Sequence, residues 1–192
     1  ALNTYCNLSP QYNTYSIIES VILNGDTYSI TNNTSGVCGT YTDYTNLSAD
    51  VTPGNSYSLD LNLGTCHPQE ALVDIANVFV DWNIDGDFDD SGEQLGVFSG
   101  TPTVTQRWTF TVPATAVLGQ TVLRVMQIEG GSTAGISPCN TFSWGAVEDY
   151  RITITNTPPA CPNPANLVVV AGVNDASLKW DGAANYYIVE YD

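Results

Sequence analysis

A chain of 192 residues holds one full β domain plus a fragment, or two small domains, and its 43% apolar content is enough for a core. Twenty acidic residues against four basic ones give a net charge of −16, a field that disfavours nucleic acid and anionic membranes as partners. The sequence has no apolar run of about 18 residues and no charged-then-apolar leader, so neither a membrane-inserted helix nor a retained signal peptide is expected.

Helix signals are nearly absent. Alternating apolar runs recur at 15–23 (YSIIESVIL), 56–63 (SYSLDLNL), 78–82 (VFVDW), 106–112 (QRWTFTV), 120–128 (QTVLRVMQI) and 149–155 (DYRITIT). Period-two patterns between Asn-Gly, Pro-Gly and Gly-Gly turns predict an all-β fold, an antiparallel, jelly-roll-like β-sandwich over residues 1–155. Residues 156–164 hold four prolines, which stop strand pairing and make a stiff linker. Beyond it, 166–171 (NLVVVA), 176–180 (ASLKW) and 186–191 (YYIVEY) resemble the first strands of a fibronectin type III domain with Trp180 as its core residue. Such a sandwich needs about 100 residues. The piece at 165–192 is therefore read as incomplete and the chain as part of a longer parent protein with further domains.

Five cysteines, at 6, 38, 66, 139 and 161, occur without a CxxC pair. That spacing argues against structural zinc, and a Lys-poor, Asn/Thr/Ser/Tyr-rich chain reads as secreted, where disulfides persist. Two bridges and one leftover thiol is the natural count, the leftover having its partner outside the chain.

The segment 81–93 (DWNIDGDFDDSGE) packs six acidic side chains into thirteen residues. Carboxylates this dense repel one another unless a cation or solvent separates them. Asp81, Asn83, Asp85, Asp87 and Asp89 recur at every second residue, with Gly86 for a sharp turn. Hard cations such as Ca2+ take six to eight oxygen ligands, which these side chains supply. The EF-hand pattern fails at its twelfth position, which is Gly92, the glutamate arriving one residue later as Glu93. The alternative is a polar β-turn with solvated acids. Glu148 and Asp149, neighbours on a strand, point to opposite faces, so only one of them can face this loop. Asp149 joins the calcium ligand set with Glu93, and the alternative is an acid paired with Arg151 or Arg124.

No catalytic set stands out. His67, the only histidine, sits in a loop context, there is no Ser-His-Asp set, and nothing selects one carboxylate pair among twenty acids. The chain is read as a non-enzyme, with a carboxylate-dependent glycosidase or lyase as the enzymatic rival. Among the aromatics, Trp82 and Trp108 lie on predicted strands and belong in the core. Trp144, beside Gly145 in a predicted loop, and the 41–44 cluster (YTDY) suit sugar stacking, with core packing as the alternative for both. Tyr41, Tyr44 and Trp144 would stack on a glycan while Asp43 and Asn46 bond its hydroxyls.

The motifs at 78–93 (VFVDWNIDGDFDDSGE), 123–128 (LRVMQI) and 139–154 (CNTFSWGAVEDYRITI), with the opening Tyr5-Cys6 and the stretch 41–61, resemble the GEVED domain of secreted bacterial proteins. Ala146 departs from that signature, which usually has Glu there. The resemblance implies an accessory module on a secreted or surface protein of a Bacteroidetes-type bacterium, attached to proteases, glycoside-degrading enzymes or adhesins. It also implies a bridge from Cys6 to Cys139, which leaves Cys38 to Cys66 and Cys161 free. The combined expectation is a calcium-stabilised module that binds polysaccharide, neutral or anionic through calcium. The rival is a structural spacer with no glycan ligand.

Overall fold

The computed structural model describes residues 2, 4–13, 15, 17–34, 37–66, 73–100, 105–130 and 137–156, and the strand backbone at 165–171 and 176–181. His67, Cys161, most of the linker at 156–164 and the expected strand at 186–191 lie outside the described residues. Contacts divide the chain into two compact units, Ala1–Pro158 and Pro159–Asp192. In the second unit β10 (Ala165–Ala171) and β11 (Ala176–Asp181) pair antiparallel.

Among the described residues of the first unit, nine strands form a two-sheet sandwich with no helix. One sheet has the order β2-β1-β4-β7, from Ile30–Asn33, Ile17–Leu23, Ser56–Gly64 and Thr105–Thr111. The other has the order β3-β9-β8-β5-β6, from Tyr41–Val51, Gly145–Ile154, Gly119–Glu129, Asp74–Val80 and Gln94–Gly100. The sandwich is as expected, with one exception to its antiparallel pairing: β3 runs parallel to β9, from Tyr41↔Val147 to Val51↔Ile154. Parallel neighbours need a long crossover. Here most of the domain lies between the two strands.

The alternation in the sequence maps onto layers. Tyr57, Leu59, Leu61 and Leu63 of β4 turn inward, while Ser58, Asp60 and Asn62 turn away from the inter-sheet core. They meet Val78 and Val80 of β5, Leu123 and Val125 of β8, and Ile152 and Ile154 of β9 in that core. Trp82 packs there too, and Trp108 lies against its margin.

The five-stranded sheet differs in being covered on its outer face as well. Leu8 of the N-terminal arm and Phe88 of the acidic segment bury Phe79, Val122, Met126 and Val147 in a second cluster, with Leu2, Tyr5 and Phe142 around it. This is why every residue of β5 is buried rather than every second one. Burying one such apolar side chain contributes about 1.5–3 kcal/mol, whereas ordering backbone costs about 1–2 kcal/mol per residue. A few apolar contacts therefore do not hold the arm by themselves. The disulfide Cys6–Cys139 joins the arm to the segment just before β9, across a sequence separation of 133. Cys38–Cys66 is the second bridge. Both are the pairings that the resemblance implies.

Candidate functional site

β5 runs directly into the acidic segment. At its end Asp81 is fully buried, and its carboxylate takes the place of further ladder bonds. Oδ1 accepts the Ile84 N–H at 2.6 Å, and Oδ2 accepts the Gly86 N–H at 3.0 Å and the Tyr5 hydroxyl at 2.8 Å. The turn passes through the left-handed region at Ile84 (φ 59°) and Gly86 (φ 98°). For a β-branched residue such as Ile84 that conformation is strained, and the Asp81 carboxylate is what holds it. Glu93 closes the other end. Its Oε1 accepts the Trp82 N–H at 2.8 Å and its Oε2 the Asp90 N–H at 3.2 Å, while burial pushes its carboxyl above the usual range.

Asp81 and Glu93 are thus engaged in closing the loop on its own backbone. Asp85 and Asp87 form a different group together with Asp90, three exposed acids whose carboxylate oxygens lie within 4.8 Å of one another. Asn83 joins them, its amide bonded to Asp85 at 2.9 Å and Asp90 at 2.6 Å. Asp89 is absent from this group; it meets Asp87 through its own N–H at 2.9 Å. The every-second-residue pattern skips Asp90, although the Asp89-Asp90 doublet is visible in the sequence.

The acids of β9 separate as the pleat requires, and neither meets the loop. Asp149 faces outward and forms a fork with the fully buried Arg124, through Nε at 2.8 Å and Nη2 at 2.7 Å. Arg124 also donates to the backbone oxygens of Pro138 and Cys6, and its guanidinium lies 5.1 Å from the centre of the Phe88 ring. Asp149 is therefore an arginine partner beneath the arm, the alternative expected for it, and lies apart from the loop acids. Glu148 faces the sandwich interior. It accepts the Tyr150 hydroxyl, which in turn accepts from the Asn32 amide at 2.8 Å. Burial pushes the Glu148 carboxyl up to about 7 despite that bond. Gly145 is required by close approach: at φ 150°, a Cβ there would lie 1.9 Å from the Gln127 carbonyl oxygen. Ala146 is buried in the inter-sheet core.

The expected aromatic surface comes apart. Residues 41–44 form the start of edge strand β3, which pairs with β9. Tyr44 stacks on Tyr150 at 5.6 Å and packs against the inter-sheet core. Tyr41 points the other way and donates to Asp149 at 3.1 Å; burial and the Asp149 charge push its hydroxyl up to about 12. With Asp43, Arg124 and Asp149 it lines a cleft of about 450 Å³ beside the arm. Asn46, at the register shift between Tyr44 and Ser48, lines a separate cleft with Tyr28 and Arg151.

Trp144 has a partner that the sequence did not single out. Tyr12 and Trp144 form a parallel bridge, fixed by Tyr12 N–H to Ser143 O at 2.9 Å and Gly145 N–H to Tyr12 O at 3.1 Å. Their ring centres lie 4.7 Å apart, and the two residues are 53% and 40% exposed. Tyr12 lies in a polar stretch without alternation, so no periodicity marks it.

These features define a disulfide-bonded β-sandwich module whose polar and aromatic groups gather at one covered sheet face and its margins. Residues 76–153 match the family model described as the GEVED domain, a family of extracellular-type accessory domains. The match runs from β5 through the acidic loop and Arg124 to the Glu148-Asp149 pair. The chain has no match among curated proteins. No helix among the described residues is long and apolar enough to cross a membrane.

Proposed function

We propose that this module is non-catalytic, works outside a bacterial cell, secreted or on its surface, and holds polysaccharide for a larger enzyme or adhesin. The observation that carries the reading is the Tyr12–Trp144 pair. Exposed rings at 4.7 Å on a hydrogen-bonded strand end offer a fixed apolar platform, and a sugar presents an apolar C–H face to such a platform. A rigid mount also lowers the entropy lost on binding. The two disulfides suit an oxidising compartment. Asp149 is bonded to Arg124 and Glu148 to Tyr150, which supports reading them as groups of the fold.

Calcium belongs to the same reading. Asp85, Asp87 and Asp90 offer only oxygen, are exposed, and lie close enough to repel one another. Asn83 faces the acids with its amide N–H groups, since its carbonyl oxygen accepts the Asp85 N–H at 3.2 Å. Bound calcium would neutralise the three acids and hold the loop. It would also let the module take an anionic chain.

The test is retention of the whole chain on a broad panel of immobilised polysaccharides with calcium present. Retention on at least one is expected. A blank panel favours the alternative, a spacer that positions other domains and binds no glycan.

A further inference from the structure

Beyond the aromatic pair, the outer face of the five-stranded sheet has a second built surface. Arg151 stands in register with Ser48 on β3 and Val122 on β8, and Val122 belongs to the outer cluster. A cleft of about 360 Å³ there is lined by Tyr28, Asn46, Ser48, Gln120, Arg151 and Thr153. We infer that this cleft binds a uronate residue of an acidic polysaccharide directly, with Arg151 taking the sugar carboxylate. This extends the polysaccharide reading to a new surface and uses neither Tyr12 nor Trp144.

The basic residues are few and mostly engaged. Among the described side chains, Arg107 pairs with Asp60 and Arg124 with Asp149, whereas Arg151 has no ion pair. Its Nε is buried without a hydrogen-bond partner. An unmet buried donor is costly, and most such groups in native proteins are satisfied. Nε is covered as the side chain stands, so a ligand oxygen in the cleft satisfies it once the guanidinium turns toward the cleft. The strongest match is a carboxylate, because the guanidinium is always charged and its parallel N–H groups meet both carboxylate oxygens.

The rest of the lining fits the rest of a sugar. Tyr28 is 66% exposed, yet its backbone is pinned by one residue: its N–H donates to Asp50 Oδ1 at 2.6 Å, and its carbonyl accepts the Asp50 N–H at 3.3 Å. The ring is thus presented on a fixed mount, suited to a sugar's C–H face. Asn46 and Gln120 bring amides, and Ser48 and Thr153 bring hydroxyls that lie 3.4 Å apart. Groups of this kind fix orientation in carbohydrate-sized sites.

Net charge opposes an anion at long range. At physiological salt that field is screened within about 8 Å, so local groups decide. Asp43 is the nearby acid: its carboxyl is held below the usual range first by Thr45 and also by the charge of Arg151. Thr45 N–H occupies one of its oxygens at 2.8 Å. Capture therefore rests on short-range contact with Arg151 and not on steering.

The experiment is calorimetric titration of the full chain with oligogalacturonate, and with a neutral xylo-oligosaccharide of equal length, in EGTA to remove calcium bridging. The acidic ligand should bind more tightly and weaken as sodium chloride is added. Arg151→Gln should weaken it by about tenfold or more, the range for a lost hydrogen bond to a charged group. Arg151→Lys keeps the charge and stem but loses the fork. It should bind more weakly at an unchanged Tm, which guards against a folding defect in the Gln variant. Arg107→Gln, which removes an arginine paired with Asp60 on the other sheet, should leave this binding intact. The inference is overturned if oligogalacturonate does not bind in EGTA, if Arg151→Gln weakens the neutral ligand as much as the acidic one, or if both Arg151 variants bind like the wild type. Loss in Trp144→Ala with no loss in Arg151→Gln would place the ligand on the aromatic pair, ending this inference while leaving the polysaccharide reading in place.

Discussion

The two faces of the five-stranded sheet handle their polar groups in opposite ways. Inward, the sheet meets the other sheet across an apolar core in which Glu148 has only the Tyr150 hydroxyl as its side-chain bond partner, and burial keeps it protonated to about 7. Outward, one residue later, Asp149 has a full arginine fork beneath a disulfide-anchored arm. Adjacent acids on one strand thus solve burial differently, one by neutralisation and one by pairing. The outer face, only partly covered, is where clefts, loop and unpaired Arg151 are found.

The sharpest way to break this contrast is Arg124→Met. It leaves the buried Asp149 charge unpaired, and removing one partner of a buried pair costs about 3–5 kcal/mol. Urea unfolding should show that loss, and the double variant Arg124→Met/Asp149→Leu should recover much of it. A loss as small as that from replacing the exposed Arg107 would mean that the outer pair does not stabilise the fold.

The inner face makes a pH prediction of opposite sign to the usual paired acid. Glu148 titrates near 4.5 when unfolded and about 7 when folded, so the folded state holds its proton longer. Its contribution is fully present below about 4.5, shrinks between those values and is lost above 7, in all on the order of 3 kcal/mol. Asp74, pushed up to about 6 by burial, acts in the same direction. Tm should therefore rise as pH is lowered from 8 to 5, and Glu148→Gln should flatten most of that slope. A wild-type Tm independent of pH would contradict the assignment of Glu148 to the interior.

A smaller effect tests the acidic loop. At free calcium a hundredfold above its Kd the folded state gains about 2.7 kcal/mol, so EGTA should lower Tm. Asp90→Asn should remove the EGTA response and Asp89→Asn should keep it, which separates the group seen in the structure from the alternating pattern of the sequence. An EGTA-insensitive Tm in the wild type rejects calcium.

The sandwich was legible because β4, β7 and β8 alternate or run apolar between clear turns. Three strands escaped notice. β3 (YTDYTNLSADV) is a polar edge strand with only Ala49, Asp50 and Val51 buried, and such a segment reads as loop until β9 is known to lie beside it. β2 is four residues long, and β6 is an edge strand with a glycine in its interior, where Gly96 lies against the Trp108 ring. In the site, residue type pointed to the acidic loop but could not divide it. Which carboxylates close on backbone N–H groups and which converge depends on the turn at Ile84 and Gly86. Tyr12, Tyr28 and Arg151 gain meaning only through neighbours distant in sequence.

The most direct measurement of the functional claim is affinity electrophoresis of wild type and Trp144→Ala in gels containing whichever polysaccharide retains the wild type, with Tm recorded for both. The exposed Tyr12–Trp144 platform predicts lost retardation with Tm almost unchanged, since neither ring lies in the buried clusters. Undiminished retardation of the variant would contradict it, as would a variant that unfolds and so assigns Trp144 to the fold.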